Sequence, residues 1–440
     1  MHSHDAEVIV VGGGPAGSTA AHLLARAGCD VLLLDRARFP RDKPCSEYLS
    51  PQASRLLHEL GALEDLERAP SARLTGMRVH APDGTSFQGS FGAIAGFRAF
   101  RDHGLAVRRP ILDATLLTRA RMAGTRVREG ADVRDLDRDN SGRVTGVVVS
   151  ENGKSVTLRS RLVIGADGLR SVVARRSGLG AHGRWPRRVA FVRHYSGIAH
   201  DAEVGDMHVF EGGYAGFASV GGGLTNVALV VPTARSAEIA GDADAFMTRE
   251  LMKQGRVAAR LIGAHAETAV RAVGPFNWRA RTAWTPGAVL VGDAADFFDP
   301  FTGEGMYAAM RGAELLTSYA WEASRARHPR DADVALAAYD RCRRREFSGK
   351  WAVERAIAMA VGSPLVINRA ARALARRPAL ADTLVGVTGD FVPAAEVLRL
   401  PYVLRLLAAA VLPEVEQKGS DSISPKDADS MRAPVGINGV

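Results

Sequence analysis

Apolar positions in this chain come in two styles. Unbroken runs mark strands buried on both faces: Glu7-Val8-Ile9-Val10-Val11, Asp30-Val31-Leu32-Leu33-Leu34-Asp35, Arg161-Leu162-Val163-Ile164 and Ala288-Val289-Leu290-Val291. Alternating runs mark antiparallel sheet. Residues 74–97 turn at Pro82-Asp83-Gly84, and the stretch from Val133 to Leu158 turns at Asn140-Ser141-Gly142 and at Asn152-Gly153. Between 185 and 272, Met207 to Phe210, Tyr214 to Val220 and Thr225 to Val231 follow one another through glycine-rich turns, which predicts a separate antiparallel sheet. Helical spacing covers Ser18 to Ala27, Pro51 to Leu60, Arg109 to Ala123 and most of the chain from Gly303 to 412. The pattern predicts an α/β fold: a Rossmann-like nucleotide-binding domain interleaved with an antiparallel β-sheet substrate domain, plus C-terminal helices. Segments 1–73, 98–184 and 273–345 build the first domain, and 74–97 with 185–272 build the second. Residues 346–413 form the helical region, and the polar stretch 414–440 reads as a disordered tail.

Composition narrows the class. With 440 residues, 46% of them hydrophobic and 24% charged, the chain is of ordinary globular type. It lacks any apolar run of about 18 residues, so no integral membrane segment is expected. The start, Met1-His2-Ser3-His4-Asp5, has no basic region of a secretory signal, which predicts a cytoplasmic protein. The net charge of +9 comes from six lysines and 51 arginines. The arginines are scattered and few aromatics interleave with them, so nucleic-acid binding is not expected. An anionic cofactor or peripheral membrane contact accounts for the basicity equally well, and monomer or dimer is compatible with it. Cys29, Cys45 and Cys342 are too few and too far apart for a disulfide framework, and the histidines show no HxH or HExxH spacing, so no metal is expected.

The chemistry lies in three motifs, each joining a strand to a helix. Gly12-Gly13-Gly14-Pro15-Ala16-Gly17 sits inside a βαβ unit of about 30 residues, the context that a dinucleotide fingerprint requires. There Gly12 gives the tight turn, Gly14 lets backbone N–H groups approach a pyrophosphate, and Gly17 allows close helix–strand packing. Asp35 ends the second strand, where it can accept from a ribose hydroxyl. Gly165-Ala166-Asp167-Gly168 is the second motif. Gly292-Asp293-Ala294-Ala295 is the third, continuing into Asp299-Pro300-Phe301-Thr302-Gly303-Glu304-Gly305-Met306. Asp167 and Asp293 can each touch a cofactor or cap the helix that follows.

In this order the motifs resemble the p-hydroxybenzoate-hydroxylase-like flavoproteins from residue 7 to about 410. The resemblance implies FAD, with its ADP part on the first motif and Asp293 on the ribityl chain. The helix near Gly303 then points its positive end at the flavin pyrimidine. It implies cofactor contacts from Gly12, Gly14, Pro15, Ala16, Gly17, Asp35, Arg36, Arg41, Cys45, Arg109, Val133, Asp167, Gly292, Asp293, Pro300, Gly303, Glu304, Gly305 and Met306. A single dinucleotide fingerprint leaves NAD(P)H as a transient reductant. Asp35-Arg36-Ala37-Arg38-Phe39-Pro40-Arg41-Asp42-Lys43-Pro44-Cys45 and Pro300 to Gly305 are more narrowly similar to the geranylgeranyl reductase family. The chain departs from that family in Ser46-Glu47-Tyr48-Leu49 after Cys45, and in Tyr214-Ala215-Gly216-Phe217-Ala218-Ser219, which lacks the reductases' Trp and Pro. The signature of flavin halogenases is absent.

Cys45, Glu47 and Tyr214 are the candidate catalytic residues. Cys45 is either a thiol beside the flavin or a small packed residue, and Glu47 either a general acid or base or a helix-start carboxylate. The leading expectation is an NAD(P)H-dependent FAD monooxygenase that hydroxylates or epoxidises a hydrophobic, phenolic or polyketide-like small molecule. The alternative is a flavin-dependent C=C reductase of prenyl chains or quinones. The C-terminal stretch with Leu398, Leu400, Leu404 and Leu407 is expected either to pack in the core or to border the substrate pocket.

Overall fold

The structure is a computed structural model that describes residues 4–411 apart from Ala93, Ala95, Asn152, Arg184, His200 and Ala240; the expected tail 414–440 lies outside the described residues. The elements that frame the site are, in chain order, β1 (Ala6–Val11), α1 (Pro15–Arg26), β2 (Val31–Asp35), β3 (Gly76–His80), β4 (Ser86–Ser90), α2 (Arg109–Met122), β5 (Arg126–Glu129), β6 (Lys154–Gly165), β7 (Arg188–Ser196), β8 (Val204–Phe210), β9 (Gly213–Ser219), β10 (Leu224–Pro232), β11 (Ala288–Leu290), α3 (Gly305–Arg325) and α4 (Pro329–Val361).

The unbroken apolar runs become the centre of one sheet, in the order β11-β6-β1-β2-β5, with every one of these neighbours parallel. Strands β1 and β2 carry apolar side chains on both faces because both are covered, by helices and by the meander residues Val133, Leu136, Val147 and Val149. Ile9, Val10, Leu33 and Leu34 have no exposed surface, and α1 packs against them together with α3. The meander expected from Val133 to Leu158 is present as Asp132–Arg138, Val144–Glu151 and the first half of β6. Here the structure adds a feature. One 12-residue strand, β6, pairs antiparallel with the meander at its start and parallel with β1 at its end. It thereby ties the second motif to the first.

The second sheet runs β7-β10-β9-β8-β3-β4. It contains the predicted hairpin at Pro82-Asp83-Gly84, but it is not purely antiparallel. Strands β8 and β3 run parallel, Asp206 opposite Arg78 and His208 opposite His80. Two further helices, Ala243–Met252 and Gly255–Leu261, cap its far face through Phe246, Met247, Leu251 and Val257. Up to Ala410 the chain forms one compact unit. No helix among the described residues is long and apolar enough to cross a membrane.

Candidate functional site at the strand ends

Strands β1, β6 and β11 end side by side, and a glycine turn follows each. At the first turn Gly12 adopts φ +103°, and a Cβ on Gly17 would lie 1.8 Å from the Gly12 carbonyl oxygen, so only glycine lets α1 approach the strand. Helix α1 starts at Pro15 with Gly14 extended at its N-cap and no side-chain cap, so its first N–H groups are left for a ligand. Two guanidinium groups close over this end. An added Cβ on Gly14 would be 3.5 Å from Arg41 Nη2 and 3.8 Å from Arg109 Nη2.

Those arginines are fixed from below by Asp113, one turn into α2. Arg109 donates from Nε and Nη2 to Asp113 at 2.8 and 2.6 Å, and Arg41 Nη1 lies 2.9 Å from the same carboxylate. Burial works against the Arg109 charge, but Asp113 and Cys45 outweigh it and raise its pKa. Asp35 is buried and accepts from Gly13 N at 2.7 Å and Ala37 N at 2.8 Å, so its oxygens brace the turn as well as facing Arg41. A pocket with a helix N-terminus, two buttressed arginines and no Cβ in the way fits a pyrophosphate.

The third motif faces the same space. Burial raises the pKa of Asp293, opposed by Lys43 and Arg109, and burial lowers that of Lys43. Gly303 takes φ +72° against the Tyr48 ring, and Gly305 and Met306 open α3 toward the cavity. The whole cleft encloses about 2030 Å³ of unfilled space, its solvent-open mouth included. The second sheet walls the cleft with Met77, Val192, Met207, Phe217 and Val230.

Cys45 lines this cavity beside Arg109. Tyr214 lines it too, buried, its hydroxyl donating to Asp299 Oδ1 at 2.7 Å while Arg188 Nη1 holds Asp299 Oδ2 at 2.8 Å. Burial and then Asp299 push the Tyr214 pKa well up. Pro15, Ala16, Gly292, Pro300 and Gly303 also face the space.

Other expected residues are placed elsewhere. Glu47 adopts φ +60° and is fully occupied: it accepts from Asn226 Nδ2 at 3.0 Å and Arg109 N at 2.9 Å, and lies 2.6 Å from His194 Nε2. It ties the Cys45 loop to β7 and β10 and does not face the large cavity. Asp167 caps the helix Val172–Arg176, accepting from Ser171 Oγ at 2.5 Å and Val172 N at 2.6 Å. Arg36 is exposed, and Val133 lies on the first strand of the meander with its side chain in the core. Glu304 is buried behind the α3 N-terminus, 2.8 Å from Lys350. The C-terminal stretch satisfies neither expectation. Leu400, Leu404 and Leu407 are 68%, 55% and 57% exposed, and none lines the cavity.

One face of α4 does line it, through Tyr339, Arg343, Phe347, Lys350 and Glu354. The periodicity 339, 343, 347, 350, 354 was readable as a helix face, but nothing in the sequence shows which way that face turns. Asp113 was closer to hand, four residues after Arg109 on a helix.

Comparisons with known proteins agree with this geometry. The family described as FAD binding domain matches residues 5–345. The menaquinone reductase of Mycobacterium tuberculosis is 38% identical over 198 residues, 44% of this chain and 45% of the relative. The chain thus spans just under half the length of that relative. Digeranylgeranylglycerophospholipid reductase 2 of Methanopyrus kandleri is 31% identical over 325 residues, 72% of this chain and 77% of the relative. Among solved structures, the flavin-dependent halogenase CmlS superposes with a TM-score of 0.75 at 26% identity, covering 93% of this chain and 78% of the other. PqsL, a probable FAD-dependent monooxygenase from Pseudomonas aeruginosa, superposes with a TM-score of 0.68 at 21% identity, covering 83% and 99%, and shares the fold.

Proposed function

Because this chain belongs to the p-hydroxybenzoate-hydroxylase-like FAD-binding flavoproteins, we propose that it is an FAD-dependent reductase of a carbon–carbon double bond in a prenyl chain or quinone, with NADH or NADPH as the transient reductant. The observation that carries this reading is Cys45, whose motif resembles that of the geranylgeranyl reductases and which sits on the wall of an apolar cavity against Arg109. The names of the curated relatives support it.

The α1 N-terminus, Arg41 and Arg109 would hold the FAD pyrophosphate, Asp35 the ribose and Asp293 the ribityl chain. The stretch Pro300 to Met306 would hold the ring. Bound FAD supplies a two-electron carrier that takes hydride from a nicotinamide and passes it to an acceptor. The chain's own task is to align that acceptor and keep water away. Met77, Met207, Phe217 and Val230 line an apolar channel, and Tyr214 is locked by Asp299 so that it packs as a rigid wall. We assign segments 1–73, 98–184 and 273–345 to the cofactor and 74–97 with 185–272 to the substrate. Leu400, Leu404 and Leu407, flanked by the exposed Arg399 and Arg405, support contact with a membrane that carries the substrate.

Oxygen insertion into a phenolic or polyketide-like molecule is the second reading. The segment Tyr214 to Ser219, without the reductases' Trp and Pro, favours it. Incubation with NAD(P)H and a panel of prenylated quinones, lipids and phenols, followed by product mass, separates the two. Reduction adds two hydrogens to the substrate. A product heavier by one oxygen, with none hydrogenated, would reverse the order of these readings.

A further inference from the structure

Behind the 299–305 loop, three elements bring four ionisable side chains to one side of the cavity. Glu304 comes from the start of α3, Lys350 and Glu354 from successive turns of α4, and Asp390 from the loop after the helix Pro378–Thr388. Lys350 Nζ lies 2.8 Å from Glu304 Oε2, bonds Asp390 Oδ1, and stands 5.0 Å from the centre of the Tyr307 ring. Glu304 and Asp390 side chains are each 3% exposed. Asp390 Oδ2 is buried without a hydrogen-bond partner, and so is the hydroxyl of Tyr48 nearby. Lys350 and Glu354 both line the cavity.

The charges do not balance. One ammonium, Lys350, bonds two buried carboxyl groups, Glu304 and Asp390, so one negative charge there is left uncompensated, and burying it costs more than protonating it. Such a cluster keeps bound protons at neutral pH, shared among its members. Glu354 is the carboxyl of the group that opens onto the cavity.

We propose that Glu354 is a proton-donating catalytic residue of the cavity, with Asp299 and Asp390 as positioning residues whose negative charge favours its protonated form, and with Lys350, bonded to Glu304 and Asp390, as the cation that ties the cluster together. The proposal rests on the reductive reading above. Saturating a double bond takes an electron pair and two protons. Bound reduced flavin would supply the pair together with one proton, as hydride. Glu354 provides the other as a proton: its O–H bond breaks as a C–H bond forms on the neighbouring carbon. The carboxylate left behind is reprotonated from water.

Electrostatics agree with the geometry. Burial lifts Glu354 to about 7, with Lys350 pulling down and Asp299 and Asp390 pushing up. Burial also raises Glu304 and Asp390, while burial would lower Lys350 but for those two carboxylates, which raise it. The charged groups facing Glu354 are therefore Lys350 and Arg355 on its own helix, Asp299 with its partner Arg188 from the sheet side, and Asp390 from the far loop. Cys45 is not equivalent, because its sulfur already contacts Arg109 at the cofactor end.

The test uses the FAD-loaded full chain and the isosteric variant Glu354→Gln. Product formation should fall about a hundredfold, the usual scale for a lost general acid, while FAD content and flavin reduction by NAD(P)H persist. Glu354→Asp should recover part of the rate. Independently of turnover, an infrared pH titration should show a protonated-carboxyl band that disappears near neutrality in the wild type and is missing in Glu354→Gln. Wild-type product formation undiminished in the variant overturns the proposal, as does an unchanged band. A wild type that hydrogenates no substrate sinks the functional reading instead, and the infrared titration then still decides whether Glu354 holds the proton.

Discussion

At the scale of single residues, the account depends on where carboxylates find cations. Asp293 faces the cavity, where Lys43 and Arg109 oppose the effect of its burial. Asp293→Ala should lower FAD affinity or shift the flavin potential while the fold stays intact, as read by FAD titration and circular dichroism. Unchanged affinity and potential would remove it from the site. Cys45→Ala should keep product formation within about tenfold of wild type, against the hundredfold loss expected for Glu354→Gln; the opposite ranking would return proton delivery to the thiol. Asp206 offers a pH test away from the cavity. Its side chain is fully buried, and although burial acts to raise it, His80 and Arg260 hold it down at about 2. A depressed carboxyl contributes stability above its unfolded value of 3.8, lost as pH falls through the folded one. Asp206→Asn should cost about 2 kcal/mol at pH 7, and the gap to wild type in urea melts should close as pH drops toward 2. A gap that stays constant with pH would contradict this assignment.

At the scale of elements, glycine decides more than any side chain. Gly17→Ala places a methyl against the Gly12 carbonyl and should cost about 1–3 kcal/mol as an overpacked contact, with loss of FAD; wild-type affinity in that variant would mean the turn is more yielding than the geometry allows. The sequence was clearest in such places. The unbroken runs of β1 and β2, the fingerprint between them and the hairpin at 82–84 are local patterns, and the structure contains them as read. It was least clear where a long-range partner decides. The helices within 243–261 interrupt a strand-rich region, and their local signals are an Asp242 cap that accepts from Ala245 N and an apolar face of Phe246, Met247 and Leu251. The parallel pairing of β3 with β8 has no sequence signal at all. Glu47 suggests an acid, a base or a helix start by its local sequence alone, because the partners that occupy it, His194 and Asn226, lie 147 and 179 residues away.

For the molecule as a whole, the two sheets and the α4 face line a single cleft that holds both the glycine-turn motifs and the apolar side chains of the second sheet. The exposed leucines of the helix Leu400–Val411 sit beside arginines. Changing Leu404 and Leu407 together to Ser should reduce co-sedimentation with anionic vesicles without changing FAD content. Equal sedimentation would detach this helix from substrate delivery. FAD should also raise the melting temperature of the FAD-free protein, by about 2.7 kcal/mol of stabilisation at a hundredfold excess over Kd. A melting temperature indifferent to FAD would contradict the site itself.

On the reductive reading proposed above, electrons leave the bound flavin for a double bond and not for oxygen. The most direct measurement of this is a single turnover with oxygen excluded: the FAD-loaded protein is reduced with NAD(P)H, mixed with a prenylated quinone or a geranylgeranyl lipid, and the organic product is weighed by mass spectrometry. The account predicts reoxidation of the flavin in step with a product two hydrogens heavier. A flavin that stays reduced until air is admitted, followed by a product carrying one added oxygen, would contradict it.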